Sequence, residues 1–237
     1  MLTSWFPERL KERLRRRAGV ITVASRLENL RRAGFAPRKI IDAGAYRGEW
    51  TRLAQRIFPA ADFLLIEPQP QLRPVLEAVC ASLPHARHRA VALGATARTV
   101  RFHLSETNSG VVSADDPPTN GENYCEVPME TLANVARQED FSNADFLKLD
   151  LQGHELQALA GAGEMFGRVE VIATEVSVLR IGEVPLIDDV WDAFRARGYR
   201  LYDIFGFNHR PLDRALWQCD LVFVRADSAL LASRQWC

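Results

Sequence analysis

The sequence predicts a doubly wound α/β domain. Its sheet is mostly parallel and seven-stranded, with an antiparallel last strand and helices on both faces. Three observations carry this. From Lys39 onward, apolar runs of strand length alternate with amphipathic helical segments. Val169–Val176 has a continuous apolar run at its centre, as expected of a strand buried on both faces. Tyr199–Ile204 and Leu221–Arg225 are joined by a stretch that carries Gly206 and Pro211 and no helical period, which suits an antiparallel pair rather than a helical crossover.

Lys39–Ala45 is predicted as the first strand and Thr51–Phe58 as a helix whose apolar face is Leu53, Ala54 and Ile57. Phe63–Glu67 is the second strand. Gln71–Leu83 is a helix with Leu72, Val75, Leu76 and Val79 on one side. His88–Leu93 is the third strand, and Val100–Leu104 alternates as an extra one. Asn108–Asn123 is polar, broken by Pro117-Pro118 and Asn120-Gly121, and reads as a loop. Phe146–Leu151 is a short central strand and His154–Phe166 a helix, followed by Val169–Val176 as the fifth principal strand. Leu186–Arg197 is an amphipathic helix, and the final strand pair closes the domain.

Composition narrows the function. The 237 residues are 47% hydrophobic and 25% charged with zero formal net charge, so a broad nucleic-acid footprint is not expected. The longest apolar runs fall far short of the ~20 residues needed to cross a bilayer, and no signal peptide pattern is visible. Cys80, Cys125, Cys219 and Cys237 are scattered without a C-x-x-C pair, which points to reduced thiols in a cytoplasmic protein and to no zinc site. Residues 1–35 form a basic extension: nine Lys and Arg face Glu8, Glu12 and Glu28, and Trp5, Phe6, Leu10 and Leu14 recur at roughly helical spacing. Two readings stand for it. One is a helix touching a membrane surface or an acidic partner; the other is a helix packed on the domain or on a second copy of the chain. Residues 36–237 form the ligand-binding domain.

The most informative stretch is Ile40–Thr51 read with Phe63–Pro68. An apolar strand ends in Asp42 and a small-residue turn, a helix follows, and a second strand ends in Glu67 twenty-five residues after Asp42. The fold brings both acids to the carboxyl edge of neighbouring parallel strands, where such sheets bind nucleoside ligands. A nicotinamide turn prefers G-x-G-x-x-G, which lets backbone amides contact a pyrophosphate. Here Gly44 and Gly48 flank Tyr46, so an NAD(P)-linked oxidoreductase is the weaker alternative. An adenosyl ligand without phosphate needs an open turn, an acceptor for an ammonium group and a carboxylate for ribose hydroxyls, and Asp42, Gly44 and Glu67 supply these. A second cluster, Lys148, Asp150, Gln152, His154 and Glu155, follows the central strand. Asp150 is the candidate site acid, and His154 a candidate base near neutral pH. Glu155 reads as a first-turn acid favoured by the helix dipole. Lys148 pairs with Asp150 or Glu175, or reaches solvent along its stem. His85 and His88 read as surface residues beside a proline turn. Ser105–Asn123, with Asn108 and Ser109 as binding candidates, has the length and polarity of a lid.

The run Ile41–Gly48 resembles the first motif of S-adenosylmethionine-dependent methyltransferases of the Rossmann-like class I fold. Phe146–Ala162 (FLKLDLQGHELQALAGA) is similar to the signature of the FkbM family of methyltransferases, and Val91–Gly94, Val127–Leu132, Thr174–Ser177 and Asp220–Arg225 agree in order. The likeness spans about Lys39 to Arg225. Tyr46 stands where members often carry Asn, and Leu151-Gln152-Gly153 where Val-Glu-Gly or Val-Gln-Gly is common. The resemblance implies S-adenosylmethionine as methyl donor and O-methylation of a small hydroxylated acceptor, often a glycosyl or natural-product hydroxyl. It implies cofactor contacts from Asp42, Gly44, Ala45, Tyr46, Gly48, Thr51, Glu67, Pro68, Ala92 and Asp150, and chemistry from Asp150, His154 and Lys148; no metal is expected, because the sequence has no H-x-x-x-H or dense acid motif. A non-catalytic adaptor acting through residues 1–35 is the remaining alternative, and an apolar stripe on that segment would support a homo-oligomer.

Overall fold

A computed structural model describes residues 21–105, 109–112, 123–233 and 235–236. The first element is α1 (Val23–Arg32), opened by a capping box in which Ser25 N donates to Thr22 Oγ1 at 3.2 Å and Thr22 N to Ser25 Oγ at 3.0 Å. Then come β1 (Lys39–Ala43), α2 (Glu49–Ile57), β2 (Asp62–Ile66), α3 (Arg73–Ser82), β3 (Ala86–Arg89), β4 (Ala92–Leu93), β5 (Arg98–Leu104), β6 (Gly110–Val111) and β7 (Asn123–Glu130). The chain continues through α4 (Leu132–Gln138), β8 (Phe146–Leu149), α5 (Glu155–Ala160), β9 (Val171–Ser177), α6 (Ile187–Ala196), β10 (Tyr199–His209) and β11 (Leu216–Arg225).

The main sheet has the order β10-β11-β9-β8-β1-β2-β3. The pairs β1–β2, β1–β8, β2–β3 and β8–β9 are parallel, whereas β11 is antiparallel to both neighbours. Strand alternation divides the core. Ile41, Leu64, Leu147 and Ile172 meet the apolar faces of α4, α5 and α6 on one side. Ile40, Phe63, Leu65 and Phe146 meet α1, α2 and α3 on the other. Phe146, fully buried, sits edge-on to Phe35, Trp50 and Phe58 with ring centroids 5.7, 5.5 and 6.4 Å away. Leu27, Leu30 and Phe35 lie in this core, so residues 23–35 are built into the domain's packing. Residues 1–20, including the apolar stripe at Trp5–Leu14, lie outside the described residues.

The expected strand His88–Leu93 is two strands in two sheets. The chain turns at Ala90-Val91, leaves the main sheet after β3, and enters a four-stranded sheet of order β4-β7-β5-β6. Val100, Phe102, Val127 and Met129 give that sheet its own small core. The helix expected over His154–Phe166 stops at Ala160 and gives way to a 3-10 turn at Gly163–Met165. There Gly161 packs on the Gly94 carbonyl so closely that an added Cβ would lie 2.1 Å from its oxygen. Of the expected loop, Gly110 and Val111 form β6, and Asn108 lies outside the described residues. Among the described residues Cys80, Cys125 and Cys219 are free thiols, and no helix is long and apolar enough to cross a membrane.

Candidate active site

The site forms where β1, β2, β8 and β9 end. Gly44 N and Ala45 N both donate to the Ile66 carbonyl, at 2.9 and 3.1 Å, binding the turn after β1 to the end of β2. Gly44 has φ +79, and a Cβ there would stand 1.8 Å from the Asp150 carbonyl oxygen. Only glycine lets these two strand ends approach this closely.

Beneath the turn lies a buried ionic group. Asp42 is fully buried; its Oδ2 accepts from Thr51 Oγ1 at 2.6 Å, and Lys148 Nζ lies 3.2 Å from Oδ1. That second contact is ionic rather than an aligned hydrogen bond, since Oδ1 has no hydrogen-bond partner. Lys148 Nζ also donates to the Gly44 carbonyl at 2.7 Å and lies 3.4 Å from Asp150 Oδ2. Burial opposes the charge on Lys148, but Asp42 and then Asp150 outweigh it and raise its pKa, so the ammonium is a fixed cation.

Glu67 is 4% exposed at the end of β2, with Oε2 accepting from Tyr46 N at 2.9 Å and Oε1 from Gln69 N at 3.1 Å. Burial raises its pKa, and these two amides oppose the rise. His88 is half-buried, contrary to its surface reading, with Nε2 3.3 Å from the Glu67 carbonyl; the parallel pairing of β3 with β2 brings it there.

A cleft runs from this point in two chambers. The inner one is walled by Glu67, Pro68, Ala92, Phe102, Val111 and His154. The outer one adds Tyr46 and Gln152, and Gly44, Glu67, Gln69, Ser109 and Asp150 line both. The structure thus brings Gly44, Tyr46, Glu67, Pro68, Ala92, Asp150 and His154 together. It places Asp42, Ala45, Gly48 and Thr51 behind the cleft. Asp42 and Thr51 are fully buried against each other, Ala45 is 4% exposed within the core, and Gly48 packs on Val79. These four shape and support the turn instead of facing a ligand.

On the far side of Asp150 the electrostatics change. Gln152, in the left-handed region at φ 54, sends Nε2 to Asp150 Oδ1 at 2.8 Å and Glu175 Oε2 at 3.2 Å. Gln218 Nε2 donates to the same Glu175 oxygen at 3.0 Å. Asp220 stands opposite Glu175 in the β11–β9 register. Burial, then Asp150 and Asp220, pushes Glu175 from its ordinary 4.5 up to about 8. Burial and then Asp150 pushes Asp220 from 3.8 up to about 7, although Lys148 pulls the other way. Lys148 therefore pairs with Asp42 and Asp150, not Glu175. Glu155, 5% exposed, accepts from Leu151 N at 2.7 Å and Gly153 N at 3.3 Å, and so clamps the loop between β8 and α5. Burial, then the Arg98 charge, lowers the His154 pKa and keeps the imidazole neutral. Among the described residues no group of three or more His, Cys, Asp or Glu is arranged to hold a metal.

Sequence reasoning did not single out Gln69, Phe102, Val111, Gln218 or Asp220. The alternation of β5 was the one available signal, because it puts Phe102 on a buried face.

Residues 42–201 match the family described as "Methyltransferase FkbM domain". No curated protein matches the chain. Similar solved structures include a precorrin-6y C5,15-methyltransferase from Geobacter metallireducens GS-15, with 11% identity, coverage of 86% of this chain and 88% of that one, and TM-score 0.44. A ribosomal protein L11 methylase from Lactobacillus delbrueckii subsp. bulgaricus has 11% identity, coverage of 85% and 78%, and TM-score 0.49. The N-methyltransferase NodS from Bradyrhizobium japonicum WM9 has 10% identity, coverage of 85% and 93%, and TM-score 0.48. With the matched region taking in the end of β1, all of β2 and the whole β8–α5 segment, the chain belongs to the FkbM methyltransferase family.

Proposed function

We propose that this methyltransferase takes its methyl group from S-adenosylmethionine and delivers it to a hydroxyl oxygen on a small molecule of sugar or natural-product type. The observation that carries the cofactor reading is the Glu67 carboxylate at the junction of the two chambers. Each oxygen accepts one backbone amide, and a carboxylate oxygen can accept a further hydrogen bond, as from a ribose hydroxyl. The inner chamber offers a flat base the apolar walls Ile66, Val91, Leu93 and Phe102. In the outer chamber the Asp150 carboxylate is an acceptor for an ammonium group. S-adenosylmethionine, when bound, supplies an electrophilic methyl carbon.

The chain's own residues provide alignment. Lys148 holds the Gly44 carbonyl and Asp150 in fixed relation and exchanges no proton. Asp150 in the outer chamber orients the acceptor hydroxyl by accepting its hydrogen bond, while His154, kept neutral, walls the inner chamber. Alignment of this kind contributes on the order of 7–11 kcal/mol in favourable intramolecular models.

Calorimetry with S-adenosylhomocysteine and with NAD(P) on one preparation tests the cofactor. Binding of S-adenosylhomocysteine alone is expected; binding of NAD(P) alone, or of neither, removes the reading. Mass spectrometry of the methylated product then decides oxygen against nitrogen.

A further inference from the structure

A second groove begins where the outer chamber ends. Gln152 lines both. One wall is His103 and Tyr124, from paired positions on β5 and β7 with ring centroids 5.5 Å apart. The other is Ser177, Trp217 and Gln218, where β9 and β11 pair.

Its hydrogen-bonding sense is set from below. Glu175 Oε2 draws the Nε2 atoms of both Gln152 and Gln218 to itself, and Asp150 Oδ1 takes the former as well. Gln152 thus spends both of its N–H groups on acids and Gln218 one of its two. Among the described residues no protein group donates to either Oε1. Both carboxamides keep an acceptor oxygen and Gln218 keeps one N–H, so a ligand group that donates a hydrogen bond, as a hydroxyl does, matches them.

Its charge is equally constrained. Among the described residues no Lys or Arg lines the groove, and Glu183 is the one acidic lining residue. The surroundings already drive Glu175 and Asp220 to keep their protons, and a region that resists one more carboxylate charge resists a phosphate too. The aromatic walls suit the faces of a ring.

We propose that this groove, with Gln152 and Gln218 as the specificity-determining carboxamides and Glu175 as the residue that positions them, binds the methyl acceptor and selects a ring that donates hydrogen bonds and carries no negative charge. The proposal rests on the methyl-donor reading above and adds to it the location of the acceptor and its charge.

The test is transfer of labelled methyl from S-adenosylmethionine to matched probes: methyl hexosides, methyl deoxyhexosides, their phosphate esters and their uronic acids. S-adenosylhomocysteine binding is measured in parallel. Transfer to uncharged members is expected, with their anionic counterparts worse by about tenfold or more. Gln218→Ala and Trp217→Ala should each lower kcat/KM for the uncharged probe by about tenfold, chiefly through KM, with S-adenosylhomocysteine affinity unchanged. Trp217→Phe should recover most of the loss and shows that the alanine variant fails through lost stacking. Glu175→Ala should raise KM in the same way and change the pH profile, which a residue serving stability alone would leave in place. Preference for the anionic probes, or transfer insensitive to Gln218 and Trp217, overturns the proposal. So does an absence of transfer by protein that binds S-adenosylhomocysteine. Absence of S-adenosylhomocysteine binding overturns the donor reading itself and is read separately.

Discussion

Asp42, fully buried, and the half-buried pair Glu175–Asp220 are carboxyl groups at the same edge of the same sheet, yet they occupy opposite electrostatic worlds. Asp42 has a lysine and a threonine hydroxyl as partners. Glu175 has two carboxamides and other acids, and its pKa climbs to about 8. Asp220 lies opposite it in the strand register and rises to about 7. Asp150 stands between them, touching Lys148 on one side and Gln152 on the other. One buried cation thus divides the site. The half beneath the Gly44 turn holds its charges fixed, and the half beyond Asp150 exchanges protons in the physiological range.

The most severe way to break this division is to remove the cation. Lys148→Met leaves Asp42 buried without a counter-charge and should cost about 3–5 kcal/mol of stability. Chemical denaturation measures it, and a loss below about 1 kcal/mol would mean that the pair is not the anchor of the turn. Next is Glu67→Ala, which should weaken S-adenosylhomocysteine by about 1.5–3 kcal/mol, or roughly ten- to more than a hundredfold, with the fold intact. Unchanged affinity by calorimetry would show that Glu67 only braces the Tyr46 and Gln69 amides.

The proton-exchanging half is sharpened by pH. The folded-state pKa values of Glu175 and Asp220 lie above their ordinary 4.5 and 3.8, at about 8 and about 7. Across those windows the folded chain keeps protons that the unfolded chain has released. Their stabilising contribution is therefore complete below about pH 4 and is lost as pH rises through 7 and then 8. Thermal melts should fall over that range, and Glu175→Gln with Asp220→Asn should flatten the fall. Asp150→Asn should flatten it too, since Asp150 is the leading charge behind both shifts after burial. The same variant should lower turnover and also weaken S-adenosylhomocysteine, since the carboxylate that accepts the ammonium group becomes an amide. A pH slope untouched by all three substitutions would disconnect these acids from one another.

This division also marks how far the sequence could be read. The doubly wound sheet, its antiparallel closing pair and the two strand-end motifs were legible because apolar runs and glycine turns are local signals. The second sheet was not. Asn123–Glu130 contains Pro128, which argues against a strand. The structure tolerates it because β4 meets β7 only at Met129 and Glu130, one residue beyond the proline. Glu67 and Asp150 were recognised as site acids because they close strands. Asp42 and Thr51 were recognised as residue types, but composition cannot say whether a strand-end acid faces the cleft or the helix behind it. Glu175 was visible at a strand end, whereas Asp220 lay one residue before the expected strand and meets Glu175 only through an antiparallel register between strands forty-five residues apart. Gln152 acquires its reach from a left-handed turn that a non-glycine residue does not advertise.

The smallest expected effect lies furthest from the division. Arg26 on α1 meets Asp203 on β10 at 3.1 Å, with side chains 21% and 24% exposed. The contact ties the N-terminal helix to the far strand of the sheet. Both side chains still reach water, and holding two long side chains in one geometry offsets much of the attraction, so the pair gains little over its hydrated ions. Arg26→Ala should cost under about 1 kcal/mol, and Asp203→Ala the same, with no further loss in the double variant. Helix α1 is held instead by Leu27, Leu30 and Phe35 in the core. Phe35→Ala, which removes a ring seated against Phe146, should cost about 3–5 kcal/mol. If the ion pair proved the costlier of the two, residues 23–35 would be attached to the domain by charge, and the packing argument for including them in it would fail.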